Sequence, residues 1–408
     1  MKRKSLVLRL LGSAALLPLL CTAPAMAQGG GSAPGAGSFP GSFLVPGTNT
    51  SFKVGGYAKF DLWYDFGTHQ DLSGGGGTGV TFNAIPLDAN VPGSTASAGH
   101  NIHGNVRLSA AESRFNIQTR TPTAYGELKT FVEGDFEGAS GVAASAGLQV
   151  NSNSTSFRLR RAEGTLGPWL FGQTFPLFED NNATAETLDF GGSFGGGGPL
   201  RQPEIRYSYD AGNGLLFGVA LDNPQTQFIS AASGASNTTF GAKQGDKIPD
   251  GIVAAIWNQP WGHISLRGVF RDLYDHNGSS VSLNTFGWGG NLSGNLNTFG
   301  KDSLFFGVQG GNGIGRYSQN TGTAPGDVVI NAAGTQIKTV DIVVGGIGYV
   351  HYWTDMLRSN VEGSMEYNIY PKSLFAPASF GPTGAYGGLD RRLITSHVNL
   401  IWSPVPEV

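Results

Sequence analysis

Cysteine is nearly absent: the 408 residues hold one, Cys21. It falls in a segment predicted below to be removed, so the mature chain has no disulfide staple and no thiol chemistry. Charge is scarce, with Asp, Glu, Lys and Arg making up 13% of residues, about half the usual share. No run of 18 apolar residues follows position 27, which excludes a membrane-crossing helix. An excess of basic residues is also missing, which excludes nucleic acid as a partner. No linker interrupts the chain after residue 50.

The N-terminus addresses the chain for export. Lys2, Arg3, Lys4 and Arg9 precede a short apolar run, Leu10 to Leu20, and Ala25-Met26-Ala27 is an A-x-A cleavage site. Residues 1–27 are predicted to be a signal peptide, with Gln28 as the mature start. Leu19-Leu20 before Cys21 argues against a lipoprotein signal, which needs small residues there. The mature chain then carries 22 basic against 29 acidic residues, a formal charge of −7. Gly is abundant, 64 residues, and aromatics reach 11%. Few charges, many aromatics and no apolar 20-mer fit an all-β transmembrane barrel, whose apolar surface comes from alternate residues.

Residues 28–49 are rich in Gly, Pro and Ser and predict a flexible periplasmic lead-in, followed by a porin barrel over 50–408. From residue 50 a period of two is plain. Val54, Phe60, Leu62 and Tyr64 oppose Lys53, Tyr57, Lys59 and Asp61; Leu128, Val132 and Phe136 oppose Glu127, Lys129, Glu133 and Asp135; Leu266 and Phe270 oppose Ser265, Arg267 and Arg271. Fourteen such strands are predicted, several placed partly by spacing because they are Gly-rich. Short turns at 121–124, 167–168, 210–214, 259–262, 297–302, 353–357 and 404–407 alternate with long loops at 67–104, 137–156, 176–202, 222–249, 272–284, 315–338 and 369–391. That order is the signature of an antiparallel up-and-down outer-membrane barrel, with the long loops extracellular or folded inward.

The candidate functional groups sit on the polar parity. Lys59, Arg114, Arg120, Lys129, Arg158, Arg160, Arg206 and Arg267 are predicted to line a lumen, where a basic stripe favours anions. They could instead pair with Glu127, Glu133 or Glu204 and only hold the wall. The third long loop carries Glu179, Asp180, Glu186 and Asp189, which would face the basic wall across a constriction if the loop folds inward rather than out. Gly74–Gly77 and Gly195–Gly198 lack the Lys-Ser/Thr of a phosphate loop. His100 and His103 have no third metal ligand nearby, and no G-x-S-x-G elbow marks an enzyme. No cofactor or metal is predicted. A passive porin is the first reading; a barrel with a plugged lumen and a structural or adhesive role is the second.

GGYAKFDLWYDF at 55–66, SRFNIQTRTPTAYGELKTFVEGDF at 113–136 and RLRRAEGTLGPWLFGQTFPLF at 158–178 resemble the DcaP-like porins of Gram-negative bacteria, as do RQPEIRYSYDAGNG at 201–214 and HVNLIWSPVPEV at 397–408. The resemblance spans nearly the whole mature chain. It implies a trimeric barrel of 16 strands for small, mostly anionic solutes such as dicarboxylates. The sequence departs from some relatives in having Gly/Pro-rich sequence where they carry a coiled-coil-forming helix. It also ends Ser403-Pro404-Val405-Pro406-Glu407-Val408, which reads as a turn rather than a closing strand, so two further strands are expected to complete the barrel.

Overall fold

The computed structural model describes residues 35–65, 105–137, 156–184, 186–187, 200–233, 236–237, 246–276, 282–318, 326–380, 389 and 391–405. The contacts divide the chain into two units, Met1–Thr78 with Asn101–Gly167, and Gly79–His100 with Pro168–Val408.

The first unit holds β1 (Phe43–Leu44), β2 (Ser51–Tyr57), β3 (Asp61–Asp65), β4 (Asn105–Ser109), β5 (Arg114–Thr123), β6 (Gly126–Asp135) and β7 (Arg158–Leu166). β1, β2, β5, β6 and β7 form one antiparallel ladder in that order, and β3 pairs with β4 apart from it. Two expectations are corrected here. The strand predicted from residue 50 to 66 is two strands: Ala58–Phe60 leave the ladder, and there the Ser113 side chain bonds the Lys59 backbone, its Oγ accepting from the Lys59 N–H at 3.0 Å and donating to the Lys59 carbonyl at 3.2 Å. The stretch 35–49, predicted as flexible, instead folds as a hairpin ending in β1, whose Phe43 and Leu44 pair with Phe52 and Ser51.

The second unit holds β8 (Trp169–Thr174), β9 (Gln202–Gly212), β10 (Leu215–Asp222), β11 (Phe228–Ser230), β12 (Ser236–Asn237), β13 (Asp250–Gln259), β14 (Gly262–His276), β15 (Ser282–Asn297), β16 (Ser303–Asn312), β17 (Val328–Ile330), β18 (Ile337–Thr339), β19 (Asp341–Tyr352), β20 (Leu357–Ile369) and β21 (Arg392–Trp402). The long strands run up and down in sequence order, β8-β9-β10-β13-β14-β15-β16-β19-β20-β21. Every strand predicted from the alternation appears in a ladder, and β1 is added to them.

The two faces obey the period of two. On β10, Phe217, Val219 and Leu221 are exposed while Gly218, Ala220 and Asp222 are buried; on β20, Val361, Met365 and Tyr367 are exposed while Asn360, Glu362, Ser364 and Glu366 are buried. Apolar side chains outward and polar ones covered is the reverse of a water-soluble sheet, and it matches a wall whose outer solvent is lipid.

What covers the polar face of the second unit was read as loop. β11 and β17 lie within the predicted loops 222–249 and 315–338, yet they pair in parallel, Phe228 with Val328 and Ser230 with Ile330, and β12 and β18 flank them. Phe228, Val328, Val329 and Ile330 are fully buried. Val329 joins Ile229, Leu177, Phe178, Ile314 and Tyr317 in one cluster with Ile252, Val269, Ile342 and Val344 of the wall, while Phe228 and Val328 pack with Leu273 of β14. Glycines on the wall make the room. A Cβ on Gly218 would come within 2.9 Å of a Leu177 methyl, and one on Gly289 within 2.9 Å of Ile314.

Candidate functional site

On the first unit the polar faces of β2, β5, β6 and β7 form a row of alternating charge. The ladder sets Arg114 opposite Asp135 and Asp135 opposite Arg158. Arg158 grips Asp135 in fork geometry, Nε at 2.9 Å and Nη2 at 2.6 Å, and Nη2 also donates to Glu137 at 3.1 Å. Asp135 is fully buried. A register shift between Glu133 and Gly134 sets Arg161 opposite Glu133, which leaves Arg160 as the extra residue of a β-bulge. Arg160 turns to the polar face and donates to Glu133 at 2.7 Å and to Asp135 at 3.1 Å.

The same bulge restores Arg161 and Glu163 to the polar face. Parity counted from Arg158 missed both. They pair with each other, and the Arg161 guanidinium lies 4.4 Å from the Phe131 ring centroid. Lys59 pairs with Asp61 at 3.2 Å and with Glu112. Arg114 lies 5.5 Å from the Tyr57 centroid. Toward the short-turn end Arg120 and Lys129 reach a single carboxylate, Glu127, at 3.9 and 3.7 Å. Lys129 is the most exposed of the predicted cations.

On the second unit the predicted cations have a different use. Arg206 pairs with Glu204 at 2.5 Å and donates to the Phe175 carbonyl at 2.7 Å. Arg267 is 7% exposed and donates to the carbonyls of Leu177 and Glu179 at 2.8 and 2.6 Å. These two arginines hold the third long loop and present little of themselves to solvent. Arg271, not singled out from sequence, is buried deeper. It reaches Asp250 at 3.0 Å, Asp327 at 2.5 Å, and the carbonyls of Gly313 and Gln225 at 2.7 and 2.8 Å, so it ties two loops to β14.

The third loop is folded onto the polar face. Asp180 is 1% exposed and accepts from His263 Nε2 at 2.8 Å, Ser265 Oγ at 2.9 Å and Ser293 Oγ at 2.8 Å, with Arg267 at 3.4 Å. Burial alone would raise its pKa. The His263 hydrogen bond and the nearby Arg267 charge outweigh burial and hold the carboxyl at about 2. Six residues on, the Glu186 carboxylate takes both arms of Arg358 at 2.6 and 2.7 Å, and its carbonyl accepts from Asn360 at 2.8 Å and Asn399 at 2.6 Å. Residues 176–184 and 186–187 therefore lie along the polar face as a strap, fixed to β14 and β15 at one end and to β20 and β21 at the other. Of the four acids predicted there, Asp180 and Glu186 are anchors and Glu179 offers its carbonyl; Asp189 lies outside the described residues, as do His100 and His103.

The sequence model of the DcaP outer membrane protein family matches residues 45–408. Among solved structures, the outer membrane channel DcaP of Acinetobacter baumannii is similar at 20% identity over 89% of each chain, with a TM-score of 0.63. OmpF of Salmonella typhi aligns at 9% identity over 86% of this chain and 98% of that one, TM-score 0.45. An anion-selective porin from Comamonas acidovorans aligns at 12% identity over 78% and 90%, TM-score 0.38. Comparison with curated proteins gives no match. A matched span covering nearly all of the barrel sequence, over walls that turn their apolar face outward, makes this chain a member of the DcaP outer membrane protein family, an all-β barrel of the bacterial outer membrane.

Proposed function

We propose that the protein is a porin that lets small hydrophilic solutes diffuse passively across the outer membrane, with a preference for anions of the dicarboxylate type. The observation that carries this reading is the strap at 176–187, pinned at Asp180 and Glu186 to a polar face backed by an apolar wall. A polar face backed by an apolar wall is the lining that a water-filled passage through lipid needs. The solute path is assigned to the polar face of the first unit. There Lys59, Arg114, Arg120, Lys129, Arg158 and Arg161 are partly open around the buried Arg160, whereas Arg206 and Arg267 are spent on loop carbonyls.

The anion preference rests on Arg120 and Lys129, two cations that share one carboxylate. It competes with the formal charge of −7 of the mature chain. Local charge wins in a narrow path, because fields are screened beyond about 8–10 Å at moderate ionic strength. In the same reading residues 1–27 are a signal peptide and the assembly is a homotrimer in outer-membrane lipid.

Planar-bilayer recording tests the proposal. Stepwise currents with a reversal potential on the anion side under a salt gradient are expected, and Arg120→Ala with Lys129→Ala is expected to move that potential toward cations. A protein that inserts but passes no current would instead be a plugged barrel of structural role, a reading favoured by the apolar loop layer over the second unit.

A further inference from the structure

The hairpin at 35–44 turns onto the polar face of the first unit at its short-turn end. Pro40-Gly41 makes a tight turn, with Gly41 at φ +74° and the Ser42 N–H donating to the Phe39 carbonyl at 3.1 Å. The Ser42 hydroxyl donates to the same carbonyl at 2.6 Å and accepts from the Phe39 N–H at 3.2 Å. The Leu44 N–H closes the far side on the Gly35 carbonyl at 2.8 Å.

Two contacts fix which face the turn occupies. Ser51 shares the parity of Lys53 and Tyr57, and its Oγ accepts from the Ser38 N–H at 2.8 Å. Arg120, opposite Ser51 in the ladder, lays its guanidinium 4.5 Å from the centroid of the Phe39 ring. Phe39 is 7% exposed, while Ser38 and Pro40 beside it are exposed. A phenyl ring covered by an arginine on a face that otherwise carries charge is a specific seat, since the ring face attracts the cation and does so more strongly as water is removed.

We infer that residues 35–44 form a hook over the short-turn mouth of the solute path, and that Phe39 and Arg120 set its width and its charge. The hook narrows the mouth by the bulk of the Phe39–Pro40 turn and screens the Arg120 charge under the ring. Selectivity at this mouth then depends on the turn, and the charge of Arg120 reaches solute only in part. The inference rests on the porin reading.

Single-channel recording of the full protein tests it. Phe39→Ala is expected to raise conductance and to shift the reversal potential toward anions as Arg120 is uncovered. Phe39→Tyr keeps the ring and is expected to retain the wild-type values. In Pro40→Cys, a bulky methanethiosulfonate reagent added after channels have formed is expected to cause a loss of current, which needs no comparison between separately folded proteins. Wild-type channels whose current changes neither with Phe39→Ala nor on modification of Pro40→Cys would overturn the hook and leave the porin reading standing. No current from the wild type or any variant would overturn both.

Discussion

Glu186 and Arg358 stand 172 positions apart in the chain and meet in a bidentate pair, with N···O distances of 2.6 and 2.7 Å. The pair is half-open to solvent on the Glu186 side. Such pairs contribute about 0–1 kcal/mol, so this one matters for where the strap lies more than for whether the wall folds. Arg358→Ala is expected to leave thermal unfolding nearly unchanged while raising the open-channel noise, since that end of the strap loses its carboxylate grip and keeps the bonds from Asn360 and Asn399. Equal noise in wild type and variant would show that the strap is fixed elsewhere.

Asp180 gives the strap a pH range. Its carboxyl is held at about 2, below the 3.8 of a free aspartate. A group whose pKa is depressed on folding stabilises above its unfolded value, and the contribution disappears as pH falls through the folded value. The strap is therefore expected to hold undiminished down to about pH 4 and to loosen between pH 4 and 2. Proteolysis within 176–187, followed across that range, reads the release. Asp180→Asn is expected to show the released pattern already at neutral pH.

Asp135 is fully buried between two arginines. Asp135→Ala leaves Arg158 with Glu137 and Arg160 with Glu133, so the loss is expected to stay below the cost of about 3–5 kcal/mol for a buried pair broken outright. The expected result is a lower unfolding temperature for the folded barrel in detergent. Asp135→Asn, which keeps the shape and loses the charge, is expected to fall between the two.

Gly218 seats Leu177 with no atom to spare. Gly218→Val is expected to push the start of the strap off the wall, at the cost of about 1–3 kcal/mol typical of overpacking. Arg267 would lose its grip on the Leu177 carbonyl. The measurable sign is altered conductance with the strands intact by circular dichroism. Retained wild-type conductance would mean that the wall yields rather than the strap.

The strands were legible because each must alternate to satisfy lipid on one side and polar groups on the other. Leu266, Phe270, Val361 and Met365 fall on the outer face as the period predicts. The candidate site was less legible, for reasons that are local. A bulge at Arg160 reverses parity after one residue, so Arg161 and Glu163 were lost to the count. Arg206 and Arg267 have the right parity but are covered by a loop, and parity carries no information about what lies above a face. The layer of β11 and β17 left a faint trace in Phe228-Ile229 and Val328-Val329-Ile330, apolar runs too short to distinguish from ordinary loop. Ser113, whose side chain bonds Lys59 where the first strand divides, leaves no trace in composition.

The parallel pairing of β11 with β17 joins segments 100 residues apart, as in the bond from the Gln227 N–H to Asp327. Between them lie β13 to β16, four wall strands that must all be in register before the two loops can meet. A slip of one residue in any of those strands would displace the partners and turn the wall's polar side outward. The small inner sheet is therefore expected to form late in assembly, after the wall strands between its partners are threaded. A chain that inserts with a misaligned hairpin is expected to leave Phe228 and Val328 uncovered and open to proteases, whereas the threaded one hides them.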